Sequence, residues 1–133
     1  METKAIYLID LAHESQLGLG SDHMPLQLGL IGAYLLKELG DRVEVKIFKF
    51  LGDFERAVRE RQPFVVGASN YMWNVTLGYE AVRLLKQHYP QTISIFGGPN
   101  YPNGEGAQFE FMRKYPAADF WIYRDGELPF ARL

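Results

Sequence analysis

Five short apolar segments recur along the chain, and an interval with helical hydrophobic spacing follows each of the first four. A short aliphatic run between polar stretches predicts a strand buried on both faces, whereas the alternating segment 43–48 predicts a half-buried edge strand. The predicted strands are residues 4–11, 43–48, 64–68, 92–96 and 119–123. Four helices are predicted. The first begins at Pro25 and ends before Gly40, and the others cover residues 53–61, 76–89 and 106–115.

Strands that alternate with helices predict an α/β fold with a parallel sheet and right-handed crossovers. At this chain length we expect a Rossmann-like, five-stranded sheet in the flavodoxin-like order 2-1-3-4-5, with helices on both faces. Ligands of such sheets bind outside the carboxyl ends of the strands, near the point where the strand order reverses. Residues 12–24, 69–74, 97–103 and 124–127 leave these ends and are therefore the candidate site segments.

Composition narrows the class of protein. A chain of 133 residues, 47% of them hydrophobic, suits a single domain with its own core. The net charge of −2, without a run of like charges, does not provide the basic surface that nucleic acid requires. No apolar segment approaches the roughly 20 residues that span a bilayer, and no signal peptide is predicted. We therefore expect a cytoplasmic protein with neither a nucleic-acid nor a membrane partner.

The sequence SNYMWN, residues 69–74, follows the predicted third strand directly. Ser69 is small enough to let a ligand approach the sheet and offers a hydroxyl, although capping of the next helix or turn is an equally good interpretation. The consecutive side chains of Tyr71, Met72 and Trp73 cannot all face one core. At least one of them is expected to lie over the end of the sheet, unless Trp73 packs beneath the following helix.

The sequence FGGPN, residues 96–100, follows the predicted fourth strand. Its two glycines permit a close backbone approach or a positive φ, and Pro99 fixes the direction in which the chain leaves. Such a turn exposes backbone amides to a polar ligand tail, or is only a tight turn. It is not a phosphate loop, because neither GxGxxG nor the Walker lysine is present.

The histidines do not define a metal site. His13 and His23 lie in the loop after the first strand, with three carboxylates nearby at Asp10, Glu14 and Asp22. This mixture is compatible with metal binding but lacks a diagnostic ligand spacing, so no metal site is predicted. His88 ends a helix, where the helix dipole favours a cation.

The residues around Ser69 argue against a hydrolase with a serine nucleophile and against a signalling receiver domain. The G-x-S-x-G sequence of a nucleophile elbow is absent, and no catalytic residue is predicted. A receiver domain would need an aspartate at the end of the third strand, where this chain has Ser69 or Asn70.

Four segments, taken in order, resemble the N-terminal cobalamin-binding domain of B12-dependent radical SAM enzymes. They are MPLQLGLIGAYL at 24–35, VVGASNYMWN at 65–74, IFGGPN at 95–100 and DGELPF at 125–130. The resemblance implies that residues 69–74 lie under the corrin ring of cobalamin and that residues 97–100 lie beside its nucleotide tail. The implied cofactor-binding residues are Pro25, Leu26, Ser69, Asn70, Tyr71, Met72, Trp73, Asn74, Gly97, Gly98, Pro99, Asn100, Gly126 and Glu127.

The chain departs from cobalamin-binding patterns at two places. The motif Asp-x-His-x-x-Gly, which carries an axial histidine in other cobalamin domains, is absent because Asp10 and His13 have the wrong spacing. No protein histidine is therefore expected on cobalt. Arg124 stands at the first glycine of the family sequence Gly-Glu-Gly-Glu, where its bulk would oppose close contact with the ligand.

The resemblance also separates binding from catalysis. The chain contains no cysteine, so it cannot hold the 4Fe-4S cluster of a radical SAM enzyme. That cluster and S-adenosylmethionine are expected in a following catalytic domain, with residues 1–133 a single cobalamin-binding-like domain of a longer enzyme, for which a methyltransferase is one candidate. Two alternatives stay open: a domain of the same fold that docks a partner domain without cobalamin, and a free-standing enzyme that uses His13, His23 and the nearby carboxylates.

Overall fold

The computed structural model describes residues 2–14 and 24–133. Its strands are β1 (Lys4–Ile9), β2 (Val43–Phe48), β3 (Val65–Ser69), β4 (Ile93–Gly97) and β5 (Phe120–Ile122). Its helices are α1 (Leu26–Leu39), α2 (Leu51–Glu60), α3 (Val75–His88), α4 (Glu105–Lys114) and α5 (Glu127–Arg132), with a 3₁₀ turn at Gly40–Arg42. The strands of the described residues pair in parallel, in the order β2-β1-β3-β4-β5. The predicted fold class and strand order are confirmed.

The central strand β1 pairs with β2 on one side and with β3 on the other. Residues 5–9 of β1 are all buried, as expected for an aliphatic strand covered on both faces. The chain connections run in opposite directions from β1 and β3, so the strand order reverses between these two strands. Their carboxyl ends therefore flank the crevice where α/β sheets bind ligands.

The helices cover both faces of the sheet and enclose two cores. Beneath α1 and α5 the buried side chains include Leu8, Leu28, Ile95 and Phe130. Beneath α2 and α3 they include Tyr7, Phe54, Val66, Val82 and Phe96. Among the described helices, none has the length and apolar character that crossing a bilayer would require.

Candidate functional site

A buried hydrogen-bond network around Asp10 forms the centre of the carboxyl edge. Asp10 follows β1 directly and is 8% exposed. Its Oδ1 accepts hydrogen bonds from Ser69 Oγ at 2.5 Å and from Asn74 Nδ2 at 2.9 Å. Its Oδ2 pairs with Lys49 Nζ at 3.0 Å. The carboxylate therefore joins the ends of β1 and β3 to the segment after β2 and to the start of α3.

Ser69 donates its hydroxyl hydrogen to Asp10 and does not cap α3. Asn74 holds the N-cap position of that helix without a side-chain cap. Its Oδ1 instead accepts a hydrogen bond from the backbone N–H of Tyr71 at 3.1 Å. This bond makes segment 69–74 a compact turn. Asn74 Nδ2 also donates to Asp10, and this second bond holds the turn against the network.

Tyr71 and Trp73 form a stacked aromatic pair at this edge, with ring centroids 4.6 Å apart and planes 9° from parallel. Tyr71 Oη donates to Gln27 Oε1 at 2.5 Å, and burial together with the charge of Asp10 raises the pKa of Tyr71. The backbone oxygen of Trp73 accepts a hydrogen bond from His13 Nε2 at 3.0 Å. Trp73 is 58% exposed and Met72 is 80% exposed, so neither side chain packs beneath α3.

The two glycines after β4 play different parts. Gly98 has a φ of +136°, and a Cβ at this position would lie 2.6 Å from the backbone oxygen of Asn70. Both the conformation and the space therefore require glycine. At Gly97 a Cβ would meet nothing nearer than 3.7 Å. The turn is bonded to the end of β3, because Asn70 N–H donates to Gly97 O at 2.7 Å and Asn100 N–H donates to Asn70 O at 3.3 Å.

Asn70 carries a polar atom whose hydrogen bonding is incomplete. The residue is fully buried, and its Oδ1 accepts a hydrogen bond from Asn100 Nδ2 at 3.3 Å. Its Nδ2 has no hydrogen-bond partner in the described part of the chain. Buried amide groups are rarely left in this state, so Asn70 Nδ2 is an unusual buried donor beside the glycine turn.

A cleft of about 340 Å³ opens beside this network, between α1, α5 and the carboxyl ends of β3, β4 and β5. Its volume lies near the lower limit for small-molecule sites. Six of the implied cofactor-binding residues line it, namely Ser69, Gly97, Gly98, Pro99, Gly126 and Glu127. The other eight lie outside its lining: Pro25, Leu26, Asn70, Tyr71, Met72, Trp73, Asn74 and Asn100. Leu26, the first residue of α1, is 65% exposed and is another exposed apolar side chain among the implied residues.

Arg124 lines this cleft with an unusual backbone conformation. Its φ of +67° lies in the left-handed region, which costs a non-glycine residue roughly 1–2 kcal/mol. Its guanidinium carbon lies 4.9 Å from the centroid of the Tyr123 ring. The position at which the resembling family has glycine therefore keeps the conformation that glycine favours, although this chain places an arginine there.

Within residues 2–14 and 24–133, no group of three His, Cys, Asp or Glu side chains is placed to hold a metal ion. His13 bonds to the backbone of Trp73, as described above. His23 and Asp22 lie outside the described residues.

Sequence reasoning missed Asp10 and Lys49 as organising residues of this edge. From the sequence, Asp10 is a candidate only for a metal site or an axial-histidine motif, and Lys49 is not a candidate for any role. The available signal was a polar residue at the end of an aliphatic run, as at Ser69. The predicted first strand, residues 4–11, included Asp10, whereas β1 ends at Ile9.

Comparisons with curated proteins point to one class of enzyme. None of the known family models matches the chain. The chain is 28% identical over 114 residues to the 2-(S-pantetheinyl)-carbapenam-3-carboxylate methyltransferase of Streptantibioticus cattleyicolor. It is 29% identical over 116 residues to the cobalamin-dependent radical SAM methyltransferase TokK of Streptomyces tokunonensis. Each alignment covers 83% of this chain but only 16% of the relative.

Solved structures of two kinds of protein share the fold of this chain. A cobalamin-binding protein from Desulfitobacterium hafniense matches 97% of this chain and 58% of its own, with a TM-score of 0.64 and 18% identity. The activated DrrB receiver domain matches 98% of this chain and 93% of its own, with a TM-score of 0.61 and 19% identity. These structures establish the fold alone. The two curated relatives and the cobalamin-binding structure confirm the resemblance of this chain to the cobalamin-binding domain of B12-dependent radical SAM enzymes.

Proposed function

We propose that this chain binds cobalamin at the carboxyl edge of its sheet, as the cofactor module of a B12-dependent radical SAM enzyme. The observation that supports this most strongly is the presence of a glycine-lined cleft and of exposed aromatic and apolar side chains at the same sheet edge. Cobalamin has a broad corrin ring and a long nucleotide tail. Such a ligand needs an apolar surface for the ring and a separate recess for the tail.

The residues at this edge fit such a ligand. The stacked Tyr71 and Trp73, with Met72 and Leu26, offer amphipathic surface for the ring. The cleft is too small for all of cobalamin, and in this proposal it takes only the tail. The turn at Gly97 provides the opening, because no side chain there blocks the approach.

The chain's own contribution is to hold and orient the cofactor. Asp10 fixes the platform through Ser69 and Asn74, and Gln27 restrains the Tyr71 ring from α1. No imidazole is assigned to cobalt, because His13 bonds to the Trp73 backbone. Bound cobalamin would supply a cobalt that carries a methyl group or tunes radical chemistry. The 4Fe-4S cluster, S-adenosylmethionine and the methyl acceptor would belong to a catalytic domain outside these residues.

A docking domain without cobalamin is the second candidate function. The exposed Leu26, Met72 and Trp73 side chains favour it, because such apolar surface also suits a protein partner. In this case the cleft would have no ligand of its own.

Titration of the purified chain with hydroxocobalamin separates these functions. We expect saturable binding of one cobalamin per chain by calorimetry, with a visible spectrum that shows the benzimidazole base displaced from cobalt and no imidazole in its place. Absence of saturable binding at high cobalamin concentration would contradict the cofactor module and favour the docking domain.

A further inference from the structure

We infer that the cleft selects among corrinoids by the chemistry of their lower base, favouring an apolar base such as dimethylbenzimidazole or a phenol over a purine such as adenine. This inference rests on the proposed function, and specifically on the placement of the nucleotide tail in the cleft. The family resemblance implies a corrinoid but does not say which lower base this chain prefers.

The floor of the cleft is made of hydrocarbon. Leu28 and Ile31 of α1, Ile95 of β4, Ile122 of β5 and Phe130 of α5 line it. All of these except the partly buried Ile31 are buried. A planar base that enters the cleft therefore meets apolar side chains from four elements.

Phe130 sets the depth of this floor. Its ring lies against the backbone of Gly67 on β3, where an added Cβ would come within 2.7 Å of Phe130 Cε2. The ring therefore replaces the side chain that β3 lacks at this point. No polar group reaches the cleft from Gly67 or Phe130.

Most of the polar side chains that line the cleft are hydrogen-bonded or belong to exposed residues, whereas Tyr101 and Glu127, which follow the ends of β4 and β5, are half-buried. The Ser69 hydroxyl donates to Asp10, and the Gln27 Oε1 accepts a hydrogen bond from Tyr71. The side chains of Asn103, Arg124 and Asp125 belong to exposed residues, so we place them at the mouth. This division suits a tail whose ribose and phosphate stay near solvent while the base is buried.

Adenine fits such a floor poorly. It carries an exocyclic amine and several ring nitrogens, which lose hydrogen bonds to water when buried among hydrocarbon. Dimethylbenzimidazole presents two methyl groups and fewer polar atoms. If the exocyclic amine of adenine is buried without a hydrogen-bond partner, the adeninyl corrinoid is expected to bind roughly 10- to 100-fold more weakly than a corrinoid with an apolar base.

The test compares four corrinoids on the same protein: cobalamin, a phenolyl cobamide, an adeninyl cobamide, and cobinamide, which has no nucleotide tail. The phenolyl cobamide is the sharper reference because its base cannot coordinate cobalt. Displacement of adenine from cobalt contributes equally to the unaltered chain and to the Ile31→Gln variant described below, so the change in affinity ratio between those two proteins isolates the effect of the floor. We expect the adeninyl cobamide to bind roughly 10- to 100-fold more weakly than the phenolyl cobamide, and cobinamide to bind more weakly than cobalamin.

The outcomes distinguish the two proposals. If none of the four corrinoids binds, the proposed function itself fails. If cobalamin binds but the phenolyl and adeninyl cobamides have equal affinity, the selectivity is overturned and the cofactor module stands. Cobinamide binding as tightly as cobalamin would also overturn the selectivity, because the tail would then lie outside the cleft.

A variant with a polar floor tests the cause directly. Ile31→Gln places an amide in the cleft, and we expect it to narrow the affinity ratio between the phenolyl and adeninyl cobamides. Leu36→Gln is the matched control, since Leu36 lies on the same helix, is 49% exposed and does not line the cleft. The control should keep the ratio of the unaltered chain. An unchanged ratio in Ile31→Gln would overturn the assignment of the floor.

Discussion

Gly97→Trp is expected to weaken cobalamin binding by about 30-fold or more, while the chain keeps a native-like unfolding midpoint. Gly97 lines the cleft, and its φ is not in the left-handed region. An added Cβ would make only ordinary contacts, 3.7 Å from Ile122. The indole would therefore fill space that the nucleotide tail needs, without displacing backbone. Calorimetric titration with hydroxocobalamin measures the loss.

The matched control is Gly106→Trp on α4, where a Cβ would have nothing within 4 Å and the residue does not line the cleft. This variant should bind cobalamin with unaltered affinity. Gly97→Val provides a smaller obstruction if the tryptophan variant does not fold. Unaltered affinity in a folded Gly97→Trp variant would show that the tail lies elsewhere.

Asp10→Ala is expected to lower the free energy of unfolding by about 3–5 kcal/mol. The substitution removes the acceptor for three donors at once, namely the Lys49 ammonium, the Ser69 hydroxyl and the Asn74 amide. The Lys49 side chain is 18% exposed, so its charge would remain largely desolvated without a partner. A loss of this size is a large fraction of the roughly 5–15 kcal/mol that stabilises a typical domain.

Urea unfolding of Asp10→Ala beside Asp53→Ala tests this estimate. Asp53 pairs with Arg56 at 3.1 Å, but its side chain is 52% exposed. Exposed pairs of this kind contribute about 1 kcal/mol or less. Equal losses in the two variants would mean that the Asp10 network does not organise the edge.

The sheet could be predicted because its signals are local. Aliphatic runs mark the strands, and residues such as Gly40 and Pro90 mark where helices end. The strand order was predicted from the chain length and from the topology that is common among parallel sheets of this size, and no single residue specified it. The site segments followed from the fold, since only the carboxyl ends of strands carry loops rich in polar and aromatic residues.

The Asp10 network could not be predicted from the sequence, because strand pairing alone brings its residues together. Ile9 pairs with Phe48 in the parallel register of β1 and β2, so the next residues on the two strands are Asp10 and Lys49. Nothing local relates two residues 39 positions apart. The register depends on the whole sheet, and it alone makes this carboxylate an anchor.

Backbone conformation at the glycine turn and at Arg124 was only partly predictable. The sequence allowed a positive φ at either Gly97 or Gly98, and the contact with Asn70 decides for Gly98. At Arg124 the residue type argued against a glycine-like conformation, yet the φ is +67°. The surrounding turn therefore overrides the preference of the side chain.

The most direct test of cobalamin binding at the carboxyl edge is a map of the backbone amide NMR signals that hydroxocobalamin perturbs. Cobalamin held over this edge predicts changes centred on residues 69–74, 97–98 and 124–127. Changes confined to the opposite edge, at residues 40–42 and 62, would contradict the proposed site.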